Sequence, residues 1–334
     1  MAARIQHQAV AEIYPFADLA VPARATVEIL TTQDGRRLRA ARFAPSTDRV
    51  RGTILIVQGR AEYIEKYYET IEDFRERGFA VAIYDWRGQG GSDRITKNRW
   101  RAHVGDFDEY GRDLDTVVED FLLADCPPPY FAVGHSTGGT ILLLNADRLK
   151  LRLERLALSA PLLRLAKDSD ITIGRALTAI ARSLVIGRRV LPWQTLQPYP
   201  RGDFNTLEAS AQQPYTTDKK RHDRQWSFVQ EHPEICSGPP TLGWIGAAIS
   251  ACDTLMARRF PESLTVPTVM AAALRDTVVS VEAIEEFGRR MRVGRTFPID
   301  RARHEIMMES NGSRDEFLGL AEGFFMSSER DMWE

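Results

Sequence analysis

Short apolar segments bounded by turn residues recur along the chain, and most of them are continuously rather than alternately hydrophobic. They are TILIVQG at 53–59, FAVAIYD at 79–85, YFAVGH at 130–135, RLALSAP at 155–161, PTVMAAA at 267–273 and RTFPID at 295–300. Continuous hydrophobicity is typical of strands that are covered on both faces by helices. Amphipathic helical patterns at 62–78 and 108–125 separate the early segments. This alternation predicts an α/β fold with a mostly parallel, doubly wound sheet.

Two regions depart from that alternation. Residues 25–43 have the pattern of two half-buried strands joined at Asp34-Gly35, which predicts an antiparallel N-terminal hairpin. From 163 to 261, helical patterns and turns continue without a clear buried strand. We therefore expect residues 1–162 and 262–334 to form one α/β core, with 163–261 as a helical insertion.

Composition and charge narrow the classes of function. The 334 residues include 44 basic and 46 acidic side chains, and the formal net charge is -2, so a nucleic-acid partner is not expected. Cys126, Cys236 and Cys252 have neither metal-ligand spacing nor an even count for a disulfide framework, which favours a reducing compartment. Since the sequence contains no secretory signal pattern and no apolar run of about 20 residues, we expect a cytoplasmic protein that acts on a small molecule. No metal or redox cofactor is expected, because no metal-ligand cluster or phosphate-binding glycine loop is found.

A G-x-S-x-G motif at Gly134–Gly138 directly follows one of the buried segments and directly precedes a helical pattern. Small residues let the chain turn sharply from strand to helix, and this turn raises the Ser136 hydroxyl above the sheet. The helix N-terminus behind it favours a developing negative charge. We interpret Ser136 as a nucleophile; the alternative is a Gly/Ser turn before a helix, without a chemical role.

A serine nucleophile needs a base and a carboxylate that orients the base, and in this architecture they follow in the order Asp or Glu, then His. Asp276 ends the segment PTVMAAALRD, and His304 lies a few residues after the segment at 295–300. Asp300 is the nearest competitor for the role of this carboxylate. It lies on or just after its own strand, however, and too little chain remains for it to reach the histidine. The alternatives are an N-cap or Asx-turn role for Asp276 and a surface-loop position for His304.

Stabilising a tetrahedral intermediate takes two backbone N–H donors. In this architecture one follows the nucleophile and the other comes from the loop after an early strand. These are the N–H groups of Thr137 and, in the loop VQGRAEYIEKY, of Arg60, where Gly59 allows a close approach.

On these motifs the chain resembles α/β-hydrolases of the monoacylglycerol lipase and bacterial lysophospholipase group, which are also grouped with the serine aminopeptidases. The resemblance spans about 27–325 and depends on GHSTGG at 134–139, YDWRGQGGSD at 84–93, HVGDFDEYGRDL at 103–114 and the Asp276 and His304 segments. It implies that 163–261 is a cap between the sixth and seventh core strands. The sequence departs from the family at Gln58, where many relatives have a histidine. Asp85 and Arg87 are expected to pair and brace the nucleophile loop; the alternative is that they contact the substrate.

The resemblance also implies hydrolysis of a carboxylic ester that carries one long acyl chain, with at most peripheral contact with a membrane. The amphipathic stretch at 171–187 is expected to pack on the core as a cap helix; the alternatives are that it lines an acyl tunnel or lies on a lipid surface. Oligomeric state is not predicted.

Three other functions stay open from the sequence. The same Ser, His and Asp can cleave an amide or an N-terminal peptide bond, for which a group of cap carboxylates is available to bind the substrate amine: Asp168, Asp170, Glu231 and Glu234. They can also transfer the acyl group to an alcohol instead of water. A binding protein without catalysis is the third alternative, since fold alone does not determine function.

Overall fold

A single eight-stranded sheet organises the protein. The computed structural model describes residues 9–167, 172, 176, 187–191, 194–209 and 213–328. The strands are β1 (Ala25–Thr31), β2 (Arg37–Phe43), β3 (Thr53–Val57), β4 (Ala80–Tyr84), β5 (Tyr130–His135), β6 (Arg155–Ser159), β7 (Thr268–Ala273) and β8 (Gly294–Ile299). They lie side by side in the order β1-β2-β4-β3-β5-β6-β7-β8.

The sheet is parallel from β4 to β8 and antiparallel at its N-terminal edge. The predicted hairpin is formed by β1 and β2, and β2 also pairs antiparallel with β4. Every residue of β3, β4, β6 and β7 is buried, as expected for strands that are covered on both faces. The edge strand β8 is only partly buried. The predicted fold class is confirmed, and the strand segments lie where the hydrophobic pattern placed them.

The helices cover both faces of the sheet. Their bounds are α1 (Tyr68–Glu76), α2 (Asp108–Val117), α3 (Leu123–Asp125), α4 (Thr137–Leu149), α5 (Phe204–Ala209), α6 (Lys219–Glu231), α7 (Leu242–Met256), α8 (Phe260–Ser263), α9 (Val281–Arg290) and α10 (Asn311–Met326). A 3₁₀ turn, Ile64–Tyr67, precedes α1, and a π-helical turn, Val118–Leu122, joins α2 to α3. The two helical patterns at 62–78 and 108–125 therefore correspond to helices.

Between β6 and β7, the described residues contain the helices α5 to α8 and contribute no strand to the sheet. The division into a core and a cap at 163–261 stays a prediction. Apart from residues 172, 176 and 187, the amphipathic stretch at 171–187 lies outside the described residues. No helix in the described ranges is both long enough and apolar enough to cross a membrane.

Parallel pairing places the carboxyl ends of β3, β5, β7 and β8 along one edge of the sheet. The loops that follow these strands carry Arg60, Ser136, Asp276 and His304, in that order. In open α/β sheets this edge is where ligands bind. The fold thus brings residues from four distant segments to one place.

Candidate active site

The turn between β5 and α4 holds Ser136 in a strained backbone conformation with φ of 49°. A Cβ atom at Gly138 would lie 2.0 Å from the Val57 carbonyl oxygen, and one at Gly134 would lie 2.8 Å from Leu142 Cδ1. Glycine is therefore required at both positions for the turn to pack against β3 and α4. Strained non-glycine residues are concentrated at functional sites, and this one presents its hydroxyl at the edge of the sheet.

Ser136, His304 and Asp276 form a continuous hydrogen-bonded line. His304 Nε2 lies 3.0 Å from Ser136 Oγ, and His304 Nδ1 lies 2.7 Å from Asp276 Oδ2. All three side chains are largely buried. The structure thus brings together the three residues that the sequence selected, although 168 positions separate Ser136 from His304.

Asp276 is held by its own loop as well as by the histidine. Its Oδ1 accepts hydrogen bonds from the backbone N–H groups of Val278, at 2.7 Å, and Val279, at 3.0 Å. The first of these is the Asx-turn geometry considered as an alternative, and it leaves Oδ2 directed at His304. The N-cap of α9 is Ser280 rather than Asp276. Asp300, the competing carboxylate, is exposed.

The two ionisable partners shift each other's pKa in opposite directions. Burial lowers the pKa of His304, but the charge and hydrogen bond of Asp276 outweigh burial, so the pKa is raised. Burial raises the pKa of Asp276, yet His304 and the two backbone N–H donors hold it below its ordinary value. The pair therefore favours an ionised Asp276 beside an imidazole that readily accepts a proton.

The two backbone donors selected from the sequence line the same cavity as Ser136. Thr137 is the first residue of α4, and an N–H at that position has no acceptor within its helix. On the other loop, Gln89 accepts from the Ala61 N–H at 3.0 Å and donates to the Gly59 carbonyl at 3.0 Å. Arg60 lies between these two anchored residues.

Sequence reasoning missed a buried charge cluster beside the histidine. Lys66 Nζ lies 2.8 Å from Glu62 Oε1 and 2.7 Å from Glu305 Oε1. Glu62 also accepts hydrogen bonds from the Gly59 N–H and the Tyr67 hydroxyl. Burial raises the pKa of Glu62, but Lys66 outweighs it and the pKa is lowered to about 2. The i,i+4 spacing of Glu62 and Lys66 was visible in the sequence; their link to Glu305 was not.

His135, the residue before Ser136, also lies beside His304. Its ring centroid is 4.9 Å from that of His304, and its Nδ1 lies 3.1 Å from the Ser159 carbonyl oxygen. Burial lowers the pKa of His135, which favours the neutral ring. His135 therefore packs beside His304 as an uncharged aromatic group.

The predicted pair of Asp85 and Arg87 is wrong, although both residues are buried and structural. Asp85 Oδ2 accepts from Arg39 Nε at 2.7 Å. Arg87 instead binds Asp113 at 2.6 Å and Asp34 at 2.7 Å.

Gln58, the departure from the family pattern, donates its side-chain amide to Asp85 Oδ1 at 2.9 Å and to the Tyr84 carbonyl oxygen. It therefore ties the end of β3 to the end of β4.

A cavity of about 590 Å³ is lined by Ser136 together with polar and apolar residues. Gly59, Arg60, Thr137 and His304 are among the lining residues. The apolar part is lined largely by one face of α7, at the helical spacing of Ile245, Ala248, Ile249, Cys252 and Met256. The volume is within the range of small-molecule sites.

Of the carboxylates suggested for binding a substrate amine, none of those that the structure describes lines this cavity. Glu231 and Glu234 are absent from the described residues that line it, and Asp168 and Asp170 lie outside the described ranges. Three carboxylates of described residues do line it: Glu62 and Glu305, which are both paired with Lys66, and Asp253 on the exposed side of α7.

Comparison with known proteins agrees with this fold. The family model Hydrolase_4, described as serine aminopeptidase, S33, matches residues 48–311. Lysophospholipase L2 of Escherichia coli strain K12 is 28% identical over 313 residues, which cover 88% of this chain and 86% of that protein. A probable lysophospholipase L2 of Haemophilus influenzae is 24% identical over 319 residues, which cover 93% and 94%.

Among solved structures, a soluble variant of monoglyceride lipase from Saccharomyces cerevisiae superimposes with a TM-score of 0.68. The superposition covers 94% of this chain and 99% of that chain at 18% identity, so the likeness concerns the fold. The family match extends from before β3 to the start of α10 and includes the loops that carry Ser136, Asp276 and His304. The chain therefore belongs to the serine aminopeptidase S33 family of α/β-hydrolases and is a serine ester hydrolase.

Proposed function

We propose that this hydrolase cleaves the carboxylic ester of a lipid that carries a single acyl chain, such as a lysophospholipid or a monoacylglycerol. The observation that carries the proposal is the hydrogen-bonded line from Asp276 through His304 to Ser136, which ends in a cavity that is lined in part by apolar residues of α7. The names of the relatives, lysophospholipases and a monoglyceride lipase, support the same substrate class.

In the proposed reaction His304 Nε2 accepts the proton of Ser136 Oγ as the oxygen attacks the ester carbonyl. Asp276 fixes the tautomer with a proton on Nδ1 and stabilises the imidazolium that forms. The backbone N–H groups of Arg60 and Thr137 donate to the oxygen that becomes negative in the tetrahedral intermediate. The dipole of α4, which begins at Thr137, favours the same charge.

Collapse of this intermediate expels the alcohol, which takes its proton from His304, and leaves the acyl group on Ser136. A water molecule, activated by the same imidazole, then attacks the acyl-enzyme and releases the fatty acid. This second half uses the same two backbone donors. One site thus serves both acylation and deacylation.

The apolar face of α7 is the proposed wall for the acyl chain. Burying a methylene group contributes about 0.8 kcal/mol, so a long chain supplies binding energy that a short ester lacks. A chain that fills the cavity along Ile245, Ile249 and Met256 would place its ester at Ser136.

The aminopeptidase alternative has less support. It requires a carboxylate inside the cavity that is available to the substrate amine. Of the three carboxylates in the described lining, Glu62 and Glu305 are already paired with Lys66, and Asp253 is on the exposed side of α7. A cytoplasmic location with at most peripheral membrane contact stays a prediction.

Covalent labelling combined with a substrate panel tests this function. We expect a fluorophosphonate probe to label the wild-type protein at Ser136, and turnover of monoacylglycerols and lysophospholipids to exceed that of aminoacyl amides. Ser136→Ala should abolish labelling and lower kcat by roughly 10⁶-fold. Ser250→Ala, at an exposed position of the cavity-lining helix α7, is the matched control and should retain both. A wild-type protein that neither labels nor cleaves any ester would overturn the proposal.

A further inference from the structure

The side chain of Arg60 has a defined position in the cavity. The proposed hydrolytic mechanism uses only the backbone N–H of this residue and not its side chain. Its Cζ lies 5.3 Å from the ring centroid of Tyr199 and 5.4 Å from that of Trp244. Nη1 donates a hydrogen bond of 3.1 Å to the Gly238 carbonyl oxygen. Arg60, Tyr199 and Trp244 all line the cavity together with Ser136. The rings and the carbonyl hold the guanidinium in place, because cation–π contacts favour such a position.

This guanidinium differs from two other cations around the cavity in lacking a counter-charge. Lys66 is paired with Glu62 and Glu305, and Arg221 is paired with Glu69 and Asp218. Among the residues that the structure describes, no carboxylate forms an ion pair with Arg60. Beyond the bond to Gly238, its remaining N–H donors have no acceptor within that part of the chain. A cation in a partly enclosed, largely apolar cavity gains most from an anionic ligand.

We propose that the Arg60 side chain forms a phosphate subsite, which binds the headgroup phosphate of a lysophospholipid. The inference depends on the proposed function and deepens it by naming the headgroup chemistry. A guanidinium binds phosphate through two parallel N–H donors, and such charge-assisted bonds are roughly twice as strong as neutral ones.

The position of Arg60 in the chain agrees with this role. Its backbone N–H is the proposed donor to the ester oxygen, and its side chain extends from the same residue towards Tyr199 and Trp244. In a glycerophospholipid, a comparable number of covalent bonds separates the scissile carbonyl from the phosphorus. Arg60 therefore contacts the ester through its backbone N–H and the headgroup phosphate through its guanidinium. The acyl chain extends along Ile249 and Met256.

Substrate selectivity tests the subsite. The experiment measures kcat/KM for a lysophosphatidic acid, a lysophosphatidylethanolamine and a monoacylglycerol of the same acyl chain, each below its micelle concentration. In Arg60→Gln, the ratio of kcat/KM for the phosphate esters over the neutral glyceride should fall about tenfold. Arg60→Lys keeps the charge but loses the planar fork, so its ratio should lie between those of the wild type and Arg60→Gln. The two lipids show whether a phosphomonoester or a phosphodiester is preferred.

Two arginines serve as controls. Arg201 also stacks on Tyr199, with Cζ 4.5 Å from the ring centroid, but it is not among the described residues that line the cavity. Arg201→Gln should leave the selectivity ratio unchanged. Arg164 lines the cavity; a loss of selectivity in Arg164→Gln but not in Arg60→Gln would assign the anion to Arg164 and overturn the proposal. An equal loss of activity on all three lipids in Arg60→Gln would also overturn it, because that result indicates a disturbed backbone donor.

A binding measurement separates the subsite from catalysis. In a Ser136→Ala background, the dissociation constants of the same lysophospholipid and monoacylglycerol are compared with and without Arg60→Gln. The phosphate lipid should lose about tenfold in affinity and the glyceride much less. If the wild type hydrolyses none of these lipids, the proposed function fails, while this comparison still decides whether Arg60 binds phosphate. Equal affinities with and without Arg60→Gln would reject the subsite.

Discussion

The Lys66 ammonium forms an ion pair of 2.7 Å with the carboxylate of Glu305, the residue that follows His304. Lys66 also binds Glu62, which accepts a hydrogen bond from the Gly59 N–H on the loop that carries Arg60. The cluster of Glu62, Lys66 and Glu305 therefore connects the loop after β3 with the loop after β8. It thereby links the loop of the proposed backbone donor to the neighbour of the histidine, and none of the three side chains is more than 17% exposed.

Removing the cation of this cluster should destabilise the protein in a pH-dependent way. Lys66→Met leaves the buried carboxylate of Glu62 and the partly exposed carboxylate of Glu305 without their counter-charge, and an unpaired buried charge costs about 3–5 kcal/mol. In the wild type Lys66 holds the pKa of Glu62 at about 2, below its ordinary value of 4.5. The stabilisation that results from this lowered pKa is fully present above pH 4.5 and is lost as the pH falls towards 2. In the variant burial raises the pKa of Glu62 instead. The free energy of unfolding should therefore increase as the pH falls from about 8 to about 5, as measured with urea.

The control for this prediction removes the negative charges too. Adding Glu62→Gln and Glu305→Gln to Lys66→Met leaves no buried ion unpaired and should restore part of the stability. A Lys66→Met protein as stable as the wild type at both pH values would show that solvent reaches the cluster.

Replacing the carboxylate behind the histidine should lower activity and shift its pH dependence. Asp276→Asn removes the charge that raises the pKa of His304, so the pKa of the imidazole falls. Since the base must be neutral, the acidic limb of the kcat/KM profile should move to lower pH. The asparagine also fails to hold the correct tautomer, which lowers kcat by about 10⁴-fold in serine hydrolases of this type.

Asp300→Asn provides the comparison, because Asp300 is the exposed carboxylate that follows β8. It should retain the wild-type kcat and pH profile. If the acidic limb in Asp276→Asn stayed at the wild-type pH, a group other than His304 would be titrating.

Local patterns in the sequence were sufficient to predict the fold and to select Ser136, Asp276 and His304 as candidate site residues. The strands β3, β4, β6 and β7 are buried at every position, and only such strands produce continuous apolar segments. Ser136 could be identified because its turn requires glycines at fixed neighbouring positions. This requirement is visible within one short segment of the sequence. Asp276 and His304 followed from their places after later strands.

Contacts between distant charges were not predictable in the same way. Asp85 and Arg87 are two positions apart, yet Asp85 binds Arg39 of β2, whose antiparallel pairing with β4 brings it there. The order of the strands in the sheet determines which buried charges become neighbours. No short sequence motif predicts that order. The link between Lys66 and Glu305 has the same origin, since it joins loops that become neighbours only in the folded sheet.

The closest backbone contact of the nucleophile turn should not tolerate a side chain. In Gly138→Ala, the new Cβ would meet the Val57 carbonyl oxygen at 2.0 Å, so either α4 or β3 must shift. Overpacking of this kind typically costs about 1–3 kcal/mol or more, and the shift displaces Ser136 and the Thr137 N–H. We expect a lower melting temperature together with a large loss of kcat.

Gly319→Ala is the matched control, because Gly319 lies inside the helix α10 with no atom within 4 Å of its added Cβ. Alanine favours the helix there and should raise the free energy of unfolding by about 0.5–1 kcal/mol. A Gly138→Ala protein with wild-type kcat would show that the turn can relax without moving Ser136.

The acyl-chain preference should change when the apolar wall of the cavity is moved inwards. Ala248 lies on α7 between Ile245 and Cys252 and faces the cavity. Ala248→Phe fills space that a long chain would occupy, and each methylene that no longer fits loses about 0.8 kcal/mol of burial, close to a fourfold change in affinity. The kcat/KM of long-chain monoacylglycerols should therefore fall while that of short-chain nitrophenyl esters is retained, which shifts the optimal acyl-chain length to shorter chains.

Ser250→Phe is the matched control for this prediction. Ser250 lies two positions further along, on the exposed side of the same helix, so the variant adds the same ring outside the cavity and should leave the optimal chain length unchanged. An unchanged optimum in Ala248→Phe would mean that the acyl chain does not lie along α7.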